Sequence, residues 1–217
     1  MPRWVGFFFW LVAAAAQDYR VPVPPIDDDA SLPRVLLIGD SISMGYAVPV
    51  RKLLAGKANV HRIPGNGGPA SNGVFLIESW LANGKWDVIH FNFGLHDLKL
   101  LSDGEPQVPI ESYRRYLRLI VVRLKSTQAK FIFATTTPVP AGTLSPPRRS
   151  SDVVAYNRVA LEVMRENGIA VNDLYSYVLP KLAELQQPVN VHFTNSGSER
   201  LAEQVAKSIR DNLKVKK

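Results

Sequence analysis

Two short segments bring together residue types suited to nucleophilic chemistry at a carbonyl. The first is Gly39-Asp40-Ser41-Ile42-Ser43-Met44-Gly45, directly after an apolar run. A serine on a tight strand-to-helix turn is exposed, and its own amide lies near a helix N-terminus, where developing negative charge is stabilised. The same Gly-Asp-Ser is also what a plain helix cap looks like. A serine needs a base at neutral pH, and imidazole is the side chain whose unperturbed pKa suits that task. The second segment, Asn190-Val191-His192-Phe193-Thr194, supplies one just ahead of the last helical pattern. Of the other three histidines, His61 sits on a strand near a basic neighbour and His90 inside an apolar strand, and both read as structural. His96, like His192, falls in a loop flanking an element end, where catalytic residues concentrate.

Acyl chemistry also needs donors for an oxyanion. Gly65-Asn66-Gly67-Gly68-Pro69-Ala70-Ser71-Asn72-Gly73 is glycine-rich enough for a backbone amide to approach a ligand closely, although such a stretch is equally an ordinary turn. Phe91-Asn92-Phe93-Gly94-Leu95-His96-Asp97 follows another strand, and one of its polar side chains can aim at the same oxyanion. No His, Asp or Glu cluster has metal-ligand spacing, so neither a metal nor an organic cofactor is expected.

These segments must be held by a scaffold, and the periodicities say which. Apolar β-rich runs predict strands at Val35 to Ile38, Val60 to Ile63, Val88 to Phe93, Phe131 to Thr135 and Ile169 to Val171. Helical spacing predicts helices at Ala47 to Ala55, Ser71 to Ala82, Ile110 to Ser126, Asp152 to Asn167, Leu174 to Leu185 and Ser198 to Leu213. Alternation of β and α implies right-handed crossovers and a mainly parallel five-stranded sheet in an α/β/α sandwich. Ligands bind outside the carboxyl ends of the strands in such sheets, which is where Ser41, Gly68 and His96 lie.

A chain of 217 residues with 46% hydrophobic residues supports one core and one catalytic domain. Residues 1–16, with Arg3, an apolar run from Trp4 and the exit Ala14-Ala15-Ala16, have the make-up of a signal peptide, so a secreted or periplasmic protein starting near Gln17 is expected. Residues 17–33, rich in Pro and Asp, read as a linker before the domain at 34–217. No later run approaches membrane length, so no stable membrane insertion is expected after cleavage. Cysteine is absent, which excludes disulfides and cysteine chemistry. The net charge of +7 is partly gathered in Lys207, Arg210, Lys214, Lys216 and Lys217. That tail reads as a solvated helix face, and nothing resembles a nucleic-acid motif. The expected partner is a small-molecule or polysaccharide substrate, met by a monomer.

In this order, the four segments resemble the four sequence blocks of the SGNH (GDSL-type) hydrolases, over Arg34 to about Leu213. The resemblance implies the flavodoxin-like fold of that family and a serine esterase working through an acyl-enzyme. It implies Ser41 as nucleophile, His192 as base, and the amides of Ser41 and Gly68 as oxyanion donors. His96 falls where the family usually has Asn, within a Gly94-Leu95-His96-Asp97 form similar to that of one subgroup; a neutral imidazole N–H can replace an amide N–H. Asn92 is the alternative donor, and Asp40, Asn66 and Asp97 are possible supporting residues. The family's Asp before the catalytic His is missing: Val189 and Asn190 stand there. Asn190 can hold the imidazole but cannot stabilise its charged form as a carboxylate does. Asp97 or Asp173 is an alternative acid, though Asp173 also suits a helix cap. The substrate the resemblance favours is a short acyl, notably acetyl, ester of an extracellular carbohydrate. The loop Pro138 to Ser151, with Arg148 and Arg149, can border the site and favour an acidic glycan, or simply be a solvated crossover. A weakened, glycan-binding relative and a lipolytic enzyme are the rival readings.

Overall fold

The computed structural model describes residues 23–82 and 84–213. The signal-peptide segment 1–16, the start of the linker and Lys214, Lys216 and Lys217 therefore lie outside the described residues. Five strands, β1 (Arg34–Ile38), β2 (Asn59–Arg62), β3 (Val88–Phe91), β4 (Lys130–Ala134) and β5 (Ala170–Asn172), form one parallel sheet in the order β2-β1-β3-β4-β5. The central β1 and β3 are almost wholly buried, as the apolar runs RVLLI and VIHF require of strands covered on both faces.

The helices are α1 (Ser41–Leu53), α2 (Ala70–Leu81), α3 (Ile110–Lys125), α4 (Ser150–Glu166), α5 (Leu174–Val178), α6 (Leu182–Leu185) and α7 (Asn195–Asn212). The chain steps from β1 outward to β2, then reverses across β1 to β3 and continues to β5. Right-handed crossovers then put α1 on one face and α2, α3 and α4 on the other. The packing agrees: α1 lies against α7, while α2, α3 and α4 pack in sequence. The reversal opens a crevice at the carboxyl ends of β1 and β3. Ser41 follows β1 and the 92–97 segment follows β3, so topology alone delivers both to that crevice.

Several boundaries differ from those expected, most for a local reason. The first helix starts at Ser41 and not Ala47, because the Asp40 carboxylate accepts from the Ile42 amide at 2.9 Å and caps it. The third strand stops at Phe91; the Asn92 backbone amide still donates to the Ile38 carbonyl at 3.0 Å, and its side chain donates to the Ala134 carbonyl of β4 at 2.7 Å. The expected Leu174 to Leu185 helix is divided by a 3-10 turn, Leu179–Lys181, that contains Pro180, a residue that cannot continue the helical ladder. Thr194 caps α7 through Gly197, which moves its start from Ser198 to Asn195. The described part of the linker has no helix or strand, yet it is tied down: Arg51 donates to the Pro24 carbonyl, Asp28 pairs with Arg34 and His61, and Asn59 bonds Asp29. Among the described residues no helix is long and apolar enough to cross a membrane.

Candidate active site

The turn after β1 is held by a residue on the neighbouring strand. Arg62, at the end of β2, donates to the carbonyls of Gly39, Asp40, Ile63 and Gly65 and to the Ser43 hydroxyl. Burial lowers its pKa to about 10, which still leaves it charged at neutral pH. Gly67 closes in on the same turn, its amide donating to the Gly39 carbonyl at 3.0 Å; a Cβ there would stand 2.8 Å from that oxygen, so only glycine fits. The turn that carries Ser41, which is buried at 7% exposure and not exposed as expected, and the glycine-rich loop are thus one bonded unit.

Ser41 is placed opposite His192, with Oγ 2.8 Å from Nε2. On the far side of the ring, Nδ1 lies 2.8 Å from Asn190 Oδ1, and that same oxygen accepts the His192 backbone N–H at 3.0 Å. An atom that accepts a backbone amide cannot be the NH₂ of Asn190, so it is the oxygen, and Nδ1 must carry the proton. The Nε2 lone pair then faces the Ser41 hydroxyl, the tautomer a general base needs. Burial lowers the pKa of His192, the Arg148 charge lowers it further and Asp40 opposes both, so the ring is neutral at neutral pH. The turn that presents Asn190 includes Val189 at φ 49°, a strained conformation for a β-branched residue.

His96 lines the same cleft, of about 480 Å³, as Ser41 and His192. Its Nδ1 lies 2.9 Å from Lys99 Nζ. Burial, with the charges of Lys99, Arg148 and His192 adding to it and Asp40 opposing, pushes the His96 pKa down to about 4, so the ring is neutral. An ammonium can only donate. Nδ1 is therefore the acceptor and the proton sits on Nε2, which makes no hydrogen bond among the described residues. That is the N–H an oxyanion donor requires in place of the family's Asn.

Other candidates are engaged elsewhere. Asn92 gives one of its two side-chain N–H donors to the Ala134 carbonyl at 2.7 Å, which orients its amide towards β4. The Gly68 amide, expected to face the oxyanion, donates to Asn66 Oδ1 at 2.9 Å, so Asn66 must release it before it can serve. Asp97 is fully buried and accepts from the Ala70 amide at 2.8 Å, capping α2 from a distance. Burial raises its pKa to about 7, the nearby Asp40 charge acting in the same sense and its own backbone bonds against it. Asp173 caps α5 and accepts from Thr135. Neither aspartate bonds His192; the partner of its Nδ1 is Asn190. Sequence reasoning missed Arg62 and Lys99. The only signals were a lone arginine ending a half-buried strand and a lysine three residues after His96.

The GDSL-like Lipase/Acylhydrolase family model matches residues 37–200. The chain belongs to that family. As a GDSL-like acylhydrolase it is a hydrolase, and the match spans all four of the segments described above. No curated protein matches the sequence. Among solved structures, the lipase/acylhydrolase from Enterococcus faecalis superposes at TM-score 0.73 with 24% identity, covering 85% of this chain and 99% of its own. The acetyl xylan esterase AlAXEase matches at 0.69 with 15% identity over 81% and 99%. Axe2, an acetylxylan esterase from Geobacillus stearothermophilus, matches at 0.66 with 20% identity over 85% and 97%. At these identities the likenesses show a shared fold.

Proposed function

We propose that this GDSL-like hydrolase is a serine esterase of short acyl esters, acetyl above all, carried on an extracellular carbohydrate. The observation that carries the reading is the continuous line from Ser41 Oγ through His192 to Asn190, with both bonds at 2.8 Å and the proton fixed on Nδ1. In the reaction Ser41 Oγ bonds to the ester carbonyl carbon while His192 Nε2 takes the hydroxyl proton. The Ser41 amide and His96 Nε2–H receive the oxyanion, and the Gly68 amide joins them once Asn66 lets it go. The C–O bond to the alcohol then breaks and His192 gives that proton to the leaving oxygen. Water, deprotonated by His192, releases the acid and restores Ser41.

Two acetylxylan esterases with this fold support the acetyl-carbohydrate reading, as does the make-up of residues 1–16, which favours export. The test is p-nitrophenyl acetate hydrolysis by the chain from Gln17. Turnover by wild type, with Ser41→Ala and His192→Ala each reduced to background, supports the reading. An inert wild type that gains activity as Asn190→Asp identifies instead a silenced esterase that retains the site.

A further inference from the structure

We infer that the cleft at Ser41 is built for an acyl ester of an acidic carbohydrate, with Lys99 and Arg148 binding an anionic group, a carboxylate or a sulfate, on the sugar that bears the acyl group. The inference rests on the esterase reading and names its substrate class.

Lys99 and Arg148 both line the cleft with the Ser41 and His192 pair, and no aspartate or glutamate is among its lining residues. Among the described residues neither cation forms an ion pair; seven lysines and arginines do, Arg34, Arg114, Arg118, Arg123, Arg149, Arg200 and Lys207, and what sets Lys99 and Arg148 apart from the other unpaired cations is that they share the cleft with Ser41 and His192. The contrast is sharpest at Arg149, next in the chain, which turns to the Gly104 carbonyl and Asp152 and leaves the cleft to its neighbour. A second cleft, of about 460 Å³ beside α4, balances Arg158 and Arg165 with Glu162 and Asp173 and has no such excess.

The two cations are held for a ligand and not waving in solvent. Arg148 donates through Nε to the Leu95 carbonyl at 2.9 Å and through Nη1 to that of Pro146 at 3.1 Å, which orients the guanidinium and leaves Nη2 without a partner among the described residues. Lys99 gives one donor to His96 and retains two. Both are half-buried, and burial together with the Arg148 charge lowers the pKa of Lys99. Two like charges held close in a partly dry cleft raise each other's free energy, and a bound anion removes that cost while gaining charge-assisted hydrogen bonds. Asp40, the countercharge that acts on both, is buried and committed to capping α1, and Asp97, which also acts on Lys99, is buried and bonded to the Ala70 amide. A neutral glycan would leave the repulsion in place.

The test uses the mature wild-type chain and p-nitrophenyl acetate, a neutral substrate. Failure to turn it over counts against the esterase reading itself. Given turnover, competition is measured with a uronic-acid disaccharide, a sulfated disaccharide and a neutral disaccharide of the same size. The inference expects at least one anionic competitor to bind about tenfold or more tightly than the neutral one. Which of the two does so tells carboxylate from sulfate. The preference should shrink in high salt and collapse in both Arg148→Met and Lys99→Met, yet survive in Arg149→Met. Equal inhibition by acidic and neutral sugars overturns the inference, as does a preference that Arg148→Met and Lys99→Met leave intact or that Arg149→Met removes equally.

Discussion

Lys99→Met separates the positioning of His96 from the rest of the site, because it retains an apolar stem and deletes one charge and one donor. Two effects follow. With Nδ1 no longer engaged, the proton can sit on either ring nitrogen, and the donor-competent form falls to roughly half, a factor of about two. The ammonium is 2.9 Å from Nδ1, and one imidazole ring and one hydrogen bond further on lies the oxyanion, roughly 8 Å away. At an effective dielectric of ~20 that charge is worth about 2 kcal/mol, reduced to about 1 by the solvent open to a half-exposed lysine. Together these lower kcat on p-nitrophenyl acetate by about 10- to 50-fold, with KM little changed because the substrate is neutral. In a His96→Asn background the amide has no tautomer to lose, so Lys99→Met should cost less there than in wild type. The ¹⁵N signals of His96 give a readout independent of activity: a bare Nδ1 and a protonated Nε2 in wild type, a mixture in Lys99→Met. A wild-type Nδ1 that carries the proton, or the same kcat penalty in both backgrounds, refutes the reasoning.

Asn190→Asp puts a carboxylate against Nδ1 and should raise kcat at pH 8. It should also raise the pKa of His192 by roughly 1–3 units, so that the acid limb of the kcat/KM profile, below the ordinary histidine range in wild type, moves to higher pH; an unmoved limb would show that position 190 does not address the ring. Asp97 has its folded pKa raised from 3.8 to about 7. The folded state therefore holds a proton that the unfolded chain gives up, and the associated stability is complete below pH 4 and lost as pH rises through 7. Asp97→Asn retains the acceptor for Ala70 and should flatten the fall in Tm between pH 4 and 7, which thermal melts across that range will check. Arg62→Met strips the bonds to four carbonyls and a hydroxyl around the Ser41 turn and should cost about 3 kcal/mol or more, roughly 6–12 °C in Tm; a Tm within 2 °C of wild type would mean the clamp is redundant.

The fold was legible because each level agreed with the next. Short apolar runs and period-3.6 patterns alternated along the chain, and a right-handed parallel sheet is what such alternation can build. What escaped was decided by single side chains reaching across the chain. Asp40 started α1 six residues early, and Pro180 divided a helix whose apolar spacing ran on unbroken. Of the residues the sequence named, Ser41, His96, Asn190 and His192 meet in one cleft, whereas the Gly68 amide is turned to Asn66. The bonding of the site was not legible. The sequence offered Asn92, Asp97 and Asp173 as substitutes for the expected donor and acid, and nothing local could say that each had a nearer partner in Ala134, Ala70 and Thr135.

The two departures from the family pattern are better understood together than apart. An amide at position 190 withholds the negative charge that would stabilise an imidazolium at His192, so proton transfer from Ser41 is less favourable than in a carboxylate triad. At position 96 the change has the opposite sign. The side chain that stands for Asn is backed by the Lys99 ammonium, and Arg148 adds a second positive charge to the same cleft. Positive charge there favours the oxyanion and disfavours the imidazolium in the same step. The arrangement therefore moves transition-state stabilisation from the base towards the oxyanion, while burial, with the Arg148 charge adding to it, lowers the pKa of His192. On this view Asn190→Asp and Lys99→Met are not independent. Adding the carboxylate should gain most when Lys99 and Arg148 are present to hold the oxyanion, and a double-mutant cycle with additive effects would show that the two ends of the site work separately.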